Sequence, residues 1–140
     1  DVNLKAVFLL CQAFARAVFA RGAGGRIVNI ASLLSFQGGI RVPAYTASKH
    51  GIAGLTKVLA NEWTARGLNV NAVAPGYIAT NNTEALRDDP QRSAEILGRI
   101  PAGRWGEPAD IAGAVTFLCT PAANYVSGAV LNVDGGWLAR

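Results

Sequence analysis

Ser32, Tyr45 and Lys49 are the residues of this 140-residue chain whose types and spacing suit chemistry. Tyr45 and Lys49 lie four positions apart in Pro43-Ala44-Tyr45-Thr46-Ala47-Ser48-Lys49, and residues at i and i+4 share one face of a helix. A phenol alone, with a pKa near ~10, is a poor proton carrier at neutral pH. A unit positive charge about 4 Å away, at an effective dielectric of roughly 20, favours the phenolate by about 4 kcal/mol. Such a pair suits a group that passes a proton to and from an oxygen near neutral pH. Ser32 closes the apolar run Arg26-Ile27-Val28-Asn29-Ile30-Ala31-Ser32, so its hydroxyl emerges at a strand's carboxyl end, where open α/β sheets bind ligands. There it can hold a carbonyl oxygen as charge builds on it.

The elements that must position these groups are legible in the hydrophobic pattern. Leu4, Val7, Phe8, Cys11, Phe14 and Val18 recur at helical spacing, with Lys5, Gln12 and Arg16 on the opposite face. Asn3 reads as the cap of that helix, and Gly22 to Gly25 end it. A strand follows at Ile27 to Ile30. Pro43 suits the first turn of the next helix, which runs to about Arg66 and stops at Gly67. Its inner face carries Ile52, Leu55, Leu59 and Trp63. Leu68 to Ala74 reads as a strand broken by Pro75-Gly76. Asn81 to Ile100 holds two short helices, the second opened by Asp89-Pro90. Glu107-Pro108 opens a helix with Ile111, Val115 and Leu118 on one face, and Ala129 to Val133 is a last strand ending at Asp134-Gly135-Gly136.

Strands alternating with helices predict an α/β fold with parallel strands joined by right-handed crossovers. About three strands make only part of a Rossmann-type doubly wound sheet, so residues 1–140 are expected to be the carboxyl-terminal part of one such domain. Gly22-Ala23-Gly24-Gly25 precedes a strand rather than following one, and is a turn rather than a dinucleotide fingerprint. The chain begins at Asp1 and contains no methionine, and the nucleotide-binding half is expected upstream.

Composition narrows the function classes. Hydrophobic residues make up 51% and charged residues 16%, which suits a packed core and excludes a solvating, disordered chain. The net charge of +4 is scattered rather than gathered into a stripe, which argues against nucleic-acid binding. Cys11 and Cys119 both fall in apolar helical patterns and read as buried small hydrophobes rather than a disulfide or metal site. A single histidine leaves little for a zinc site, and no apolar stretch reaches the length of a membrane span. A cytoplasmic protein with no membrane partner is the expectation.

Ser32, the Tyr45-Thr46-Ala47-Ser48-Lys49 run, Asn71-Ala72-Val73-Ala74-Pro75-Gly76 and Asp134-Gly135-Gly136 together resemble the classical short-chain dehydrogenases/reductases, over essentially the whole chain but only the second half of a typical member. The resemblance implies that Ser32, Tyr45 and Lys49 are catalytic. It adds Asn3 as a fourth catalytic residue, holding a water in a proton relay that ends at the lysine. It implies a nicotinamide cofactor, NAD with NADP left open, whose ribose Lys49 holds beside Tyr45. Pro75, Gly76 and Ile78 would line the nicotinamide side, and Thr80 would reach its carboxamide or the pyrophosphate. The wording of Ala79 to Thr83, Arg92 to Leu97, Ile100 to Gly106 and Asp134 to Arg140 is similar to a subgroup. Its members are 2-dehydro-3-deoxy-D-gluconate 5-dehydrogenases, also described as 2-deoxy-D-gluconate 3-dehydrogenases, which act on sugar acids. A homotetramer is also implied.

Other residues carry weaker readings. Arg104 and Arg41 are candidates for a bidentate clamp on a substrate carboxylate. His50 is rotated about 100° from Lys49 and reads as a solvent or packing residue. Gly51 and Gly54 cost helix propensity, which a close helix–helix approach would explain, and Trp137 is a candidate for covering a subunit interface. Two alternatives stay open: a 3-oxoacyl carrier-protein reductase with the same catalytic residues, and a non-catalytic half-domain with an open apolar edge at Ile27 to Ile30.

Overall fold

In the computed structural model, which describes residues 2–139, the chain forms α1 (Lys5–Ala20), β1 (Gly25–Ile30), α2 (Pro43–Trp63), β2 (Leu68–Pro75), α3 (Glu84–Asp88), α4 (Pro90–Arg99), α5 (Pro108–Cys119) and β3 (Val130–Val133). Asp1 and Arg140, which end the two terminal motifs, lie outside the described residues. The strands form one sheet in the order β1-β2-β3, and both pairings are parallel. Ile30 stands opposite Val73 and Pro75 opposite Val133, so the loops leaving all three strands gather at one end of the sheet. The expected α/β class, strand number and parallel direction are all present.

Local chemistry sets the boundaries. Pro43 takes the first helical position of α2, where its missing N–H costs nothing and its fixed φ suits the helix. The far end tightens into a 3-10 turn at Thr64–Arg66, and Gly67 closes it with a left-handed φ of 83°. The Asp89 carboxylate accepts from the N–H groups of Gln91 and Arg92, both at 3.1 Å, which caps α4. Asn3 is not the cap of α1. Leu4 holds that place, its carbonyl accepting from Phe8 N–H at 3.0 Å, with no side-chain cap. The helix starts one residue later than expected, so the Asn3 amide stays outside its first turn.

Strand β2 is the centre of the core and is buried from Leu68 through Ala74. Leu68, Val70, Ala72 and Ala74 pack towards α1 and α2, among Cys11, Ala15, Ile52, Leu59 and Ala60. Val73 packs on the other side with Leu118 of α5 and Ala123. Each fully buried leucine or valine contributes about 1.5–3 kcal/mol relative to exposure. Asn69 and Asn71 share the α5 side, as the period of two in a strand requires. Their amides are occupied: Asn71 Nδ2 donates to Val126 O at 2.8 Å, its Oδ1 accepts from Ala129 N–H at 3.0 Å, and Asn69 Nδ2 donates to Asn124 O and Val126 O, both at 3.0 Å.

One cysteine departs from expectation. Cys11 is buried, but Cys119 is exposed, and both are free thiols. The stripe Ile111, Val115 and Leu118 faces the sheet, and the next residue turns about 100° away from Leu118. Gly51 does allow a close approach, but the approaching group is the Leu4 side chain, 2.9 Å from where a Cβ would stand, while Gly54 faces open space. Strand β1 is an edge of the sheet, with Ile30, Leu10 and Phe14 exposed beside it, as expected of an open apolar edge. Among the described residues no helix is long and apolar enough to cross a membrane.

Candidate active site

The end of β1 and the head of α2 are joined through a buried serine. Ser32, two residues past β1, has extended backbone, and its hydroxyl accepts from Leu34 N–H at 3.2 Å. The Ser35 hydroxyl accepts from Ser32 N–H at 3.3 Å and donates to Lys49 O at 2.6 Å. Lys49 Nζ returns the connection, donating to Ile30 O at 2.7 Å. The ammonium therefore stands at the strand end that presents Ser32, and it also lies 5.6 Å from the centroid of the Tyr45 ring. Burial pushes the Lys49 pKa below its usual value. Tyr45 is 40% exposed in the first turn of α2, so its hydroxyl is open to a substrate. Ser35 was not singled out from the sequence. The signal was there in Ser32-x-x-Ser35, the spacing of a capping box, with serine in place of the usual glutamate or glutamine.

Asn3 is exposed and lines, with Lys49 and the outer side of β1, a cavity of about 390 Å³. Ser32, Tyr45 and Lys49 thus fall around one strand end, and Asn3 shares a cavity with Lys49 that includes neither Ser32 nor Tyr45. The expected cofactor residues follow β2 out of the sheet. Pro75 ends the strand, and Gly76 N–H donates to Val133 O at 2.9 Å. A Cβ on Gly76 would stand 2.6 Å from Asp134 Cα, so only glycine lets this turn pass the Asp134-Gly135-Gly136 turn. Ile78 is 9% exposed and bridges to Gly106, while Thr80 is exposed at the head of the 3-10 turn Asn81–Thr83.

The family model described as enoyl-(acyl carrier protein) reductase, a model of short-chain dehydrogenases/reductases, matches residues 1–138. The chain belongs to the short-chain dehydrogenase/reductase family. It is 61% identical to the 2-dehydro-3-deoxy-D-gluconate 5-dehydrogenase of Escherichia coli (strain K12) over all 140 residues, covering 55% of that protein. The Bacillus subtilis (strain 168) enzyme of the same name is also 61% identical, with 100% of this chain and 55% of the relative covered. A crystal structure from Agrobacterium tumefaciens, provisionally assigned as a 2-deoxy-D-gluconate 3-dehydrogenase and holding NADP, superimposes with a TM-score of 0.99 at 71% identity, over 100% of this chain and 57% of that one. The chain spans about half the length of the curated relatives it matches.

Within this short-chain dehydrogenase/reductase chain, the expectations for Arg104 and Trp137 need revision. Arg104 does clamp a carboxylate, but that carboxylate is Asp110 of the same chain, held by both terminal nitrogens at 2.8 and 3.0 Å. The pair lines a cavity of about 280 Å³ with Tyr77, Ile78 and Asp134, a cavity that includes none of Ser32, Tyr45 and Lys49. Arg41 stands exposed in the loop before α2 with a left-handed φ of 62°. Trp137, a candidate for covering an interface, is instead buried within its own chain: it is 4% exposed, packed with Leu33 and Ile100 beneath Tyr77 and Arg99. His50 meets the backbone of its own helix, Nδ1 lying 3.0 Å from Thr46 O.

The Arg104 guanidinium, with Glu107 N–H beside it, holds the Asp110 carboxyl down at about 2. A folded value below the unfolded one means that the stability it gives is present above the ordinary aspartate range, near ~3.9, and is lost as pH falls through that window. The stability difference between the parent protein and Asp110→Asn is therefore expected to stay constant near neutrality and to shrink between about pH 4 and pH 2. Denaturant midpoints measured across that range test it. A difference independent of pH down to the bottom of the window would contradict the ion pair.

Proposed function

We propose that this chain is the catalytic part of an NAD(P)-dependent oxidoreductase that interconverts a hydroxyl and a carbonyl on a sugar acid of the 2-dehydro-3-deoxy-D-gluconate or 2-deoxy-D-gluconate type. The observation that carries the reading is Lys49, whose ammonium bonds the end of β1 two residues before Ser32 and stands beside Tyr45. Identity to the Escherichia coli and Bacillus subtilis enzymes supports the substrate class. NADP in the Agrobacterium structure supports the cofactor class, and NAD is our assignment between the two.

The donor set fits the nicotinamide end of a dinucleotide: one ammonium, the Thr80 hydroxyl, and the apolar Pro75 and Ile78 at the exit of β2. The bound dinucleotide supplies hydride transfer. Tyr45 takes the hydroxyl proton as the carbinol carbon loses its hydride, and returns it in the reverse direction. Ser32 donates a hydrogen bond to the same oxygen and stabilises charge on it. Lys49 holds the ribose beside Tyr45. Asn3, on the same cavity as Lys49, holds the relay water. A homotetramer belongs to the same reading, and the exposed Leu4, Phe8 and Val58 on α1 and α2 support an interface there.

The test is a substrate comparison on the natural protein carrying this chain. Sugar-acid oxidation is expected to exceed 3-oxoacyl thioester reduction in kcat/KM by about ten-thousandfold, the discrimination expected when a site built to hydrogen-bond hydroxyls is offered a substrate that lacks them. The opposite order would make it an acyl reductase. No turnover of either, with no dinucleotide binding, would favour the half-domain reading.

A further inference from the structure

The turn that carries Thr80 is braced from a helix further along the chain. Thr80 O accepts from Thr83 N–H at 3.1 Å and from Arg87 Nη2 at 3.1 Å. The Thr83 hydroxyl lies 3.1 Å from the same carbonyl but 2.6 Å from Ile78 O, and it accepts from Thr80 N–H at 3.1 Å. A hydroxyl has one proton to donate, and the shorter contact takes it to Ile78. Arg87 is thus the side-chain donor that holds the Thr80 carbonyl, and a charged donor is roughly twice as strong as a neutral one. Arg87 Nε is buried with no hydrogen-bond partner among the described residues. That nitrogen is withdrawn from water while the Nη2 end bonds Thr80 O at the surface, so the half-buried side chain is oriented with its tip on the turn.

We propose that Arg87 is a positioning residue: from α3 it fixes the Thr80 turn in the geometry that meets the dinucleotide. The proposal rests on the reading of Thr80 as a cofactor residue. Arg87 itself touches a backbone carbonyl and acts through it. Without the guanidinium, Thr80 would sample other turn conformations, and binding would bear the cost of re-ordering it. The effect belongs to dinucleotide binding rather than to the proton transfer at Tyr45.

The experiment compares Arg87→Ala, Arg87→Met, Arg87→Lys, Thr80→Ala and the double Arg87→Ala/Thr80→Ala variant in the natural protein carrying this chain. NADH and NADPH are titrated by nicotinamide fluorescence, and kcat and KM are measured alongside. Arg87→Ala is expected to raise the dissociation constant about tenfold and leave kcat at saturation within about twofold. Arg87→Met, which keeps the apolar stem, should match it and stands in if the alanine variant does not fold. Arg87→Lys keeps one donor and should recover part of the loss. The double variant should bind little worse than Thr80→Ala, because the two residues act on one contact. Unchanged binding in Thr80→Ala overturns the reading of Thr80, and the positioning role with it. Weakened binding in Thr80→Ala beside unchanged binding in the Arg87 variants overturns the positioning role alone, as does a lysine variant no better than alanine.

Discussion

Tyr45→Phe is expected to lower kcat by about a thousandfold while leaving the fold intact. The substitution removes one oxygen from a side chain that is 40% exposed. The first turn of α2 is fixed by Pro43, and Lys49 is anchored independently by Ile30 O and through its own carbonyl by Ser35. The ring remains, so its contact with the Lys49 ammonium remains. What is lost is the hydroxyl proposed to exchange a proton with the substrate oxygen. A thousandfold is worth about 4 kcal/mol of barrier, of the order that one positioned acid/base supplies. Dinucleotide binding should change little, because Lys49, the residue proposed to hold the ribose, is unchanged. Turnover within tenfold of the parent, in a variant with unchanged melting temperature, would remove Tyr45 from the reaction.

What the sequence disclosed about this site depended on the range of each interaction. Tyr45 and Lys49 are legible because one helical turn separates them, and the helix is itself legible from Pro43 to Gly67. Ser32 is legible because strand β1 ends in an apolar run. Ser35 is not, because a serine in a loop looks like solvent until its hydroxyl is seen to reach Lys49 O, fourteen positions on. Arg104 and Asp110 are six apart, a spacing that no regular helix or strand brings together, so the pattern shows two surface charges and the structure one ion pair. Trp137 lies near the end of the chain, yet its indole N–H reaches Gln37 Oε1, 100 positions away, at 3.4 Å. Proximity to a terminus gave no sign of that burial. Cys119 erred in the opposite direction: its neighbours are apolar, but hydrophobic neighbours do not bury a residue that the helix turns outward.

Strand β2 shows the same limit in the core, and it carries the largest stability effect. Leu68, Asn69, Val70 and Asn71 alternate as in a strand with one wet face, yet Asn69 and Asn71 are 7% and 1% exposed. Their amides replace water with the backbone of the segment leading into β3, which lies 55 to 58 residues further on. Asn71→Leu keeps the branched shape and removes both bonds; Val126 O retains Asn69 Nδ2 as its donor, so Ala129 N–H is the group left in the interior without a partner. At about 1–3 kcal/mol for an orphaned buried group, the expected loss is of that size. Set against a typical total of about 5–15 kcal/mol, this is a large share of the stability. Urea unfolding of the natural protein carrying this chain measures it, and a loss below about 1 kcal/mol would show that water or rearrangement satisfies the Ala129 N–H. The consequence reaches the site. Ala129 precedes β3, whose register against β2 brings Asp134 to Gly76 at the exit of the sheet. A variant that survives folding should therefore bind dinucleotide more weakly, because the turn carrying Gly76 and Ile78 is held in place by the strand that Asn71 secures.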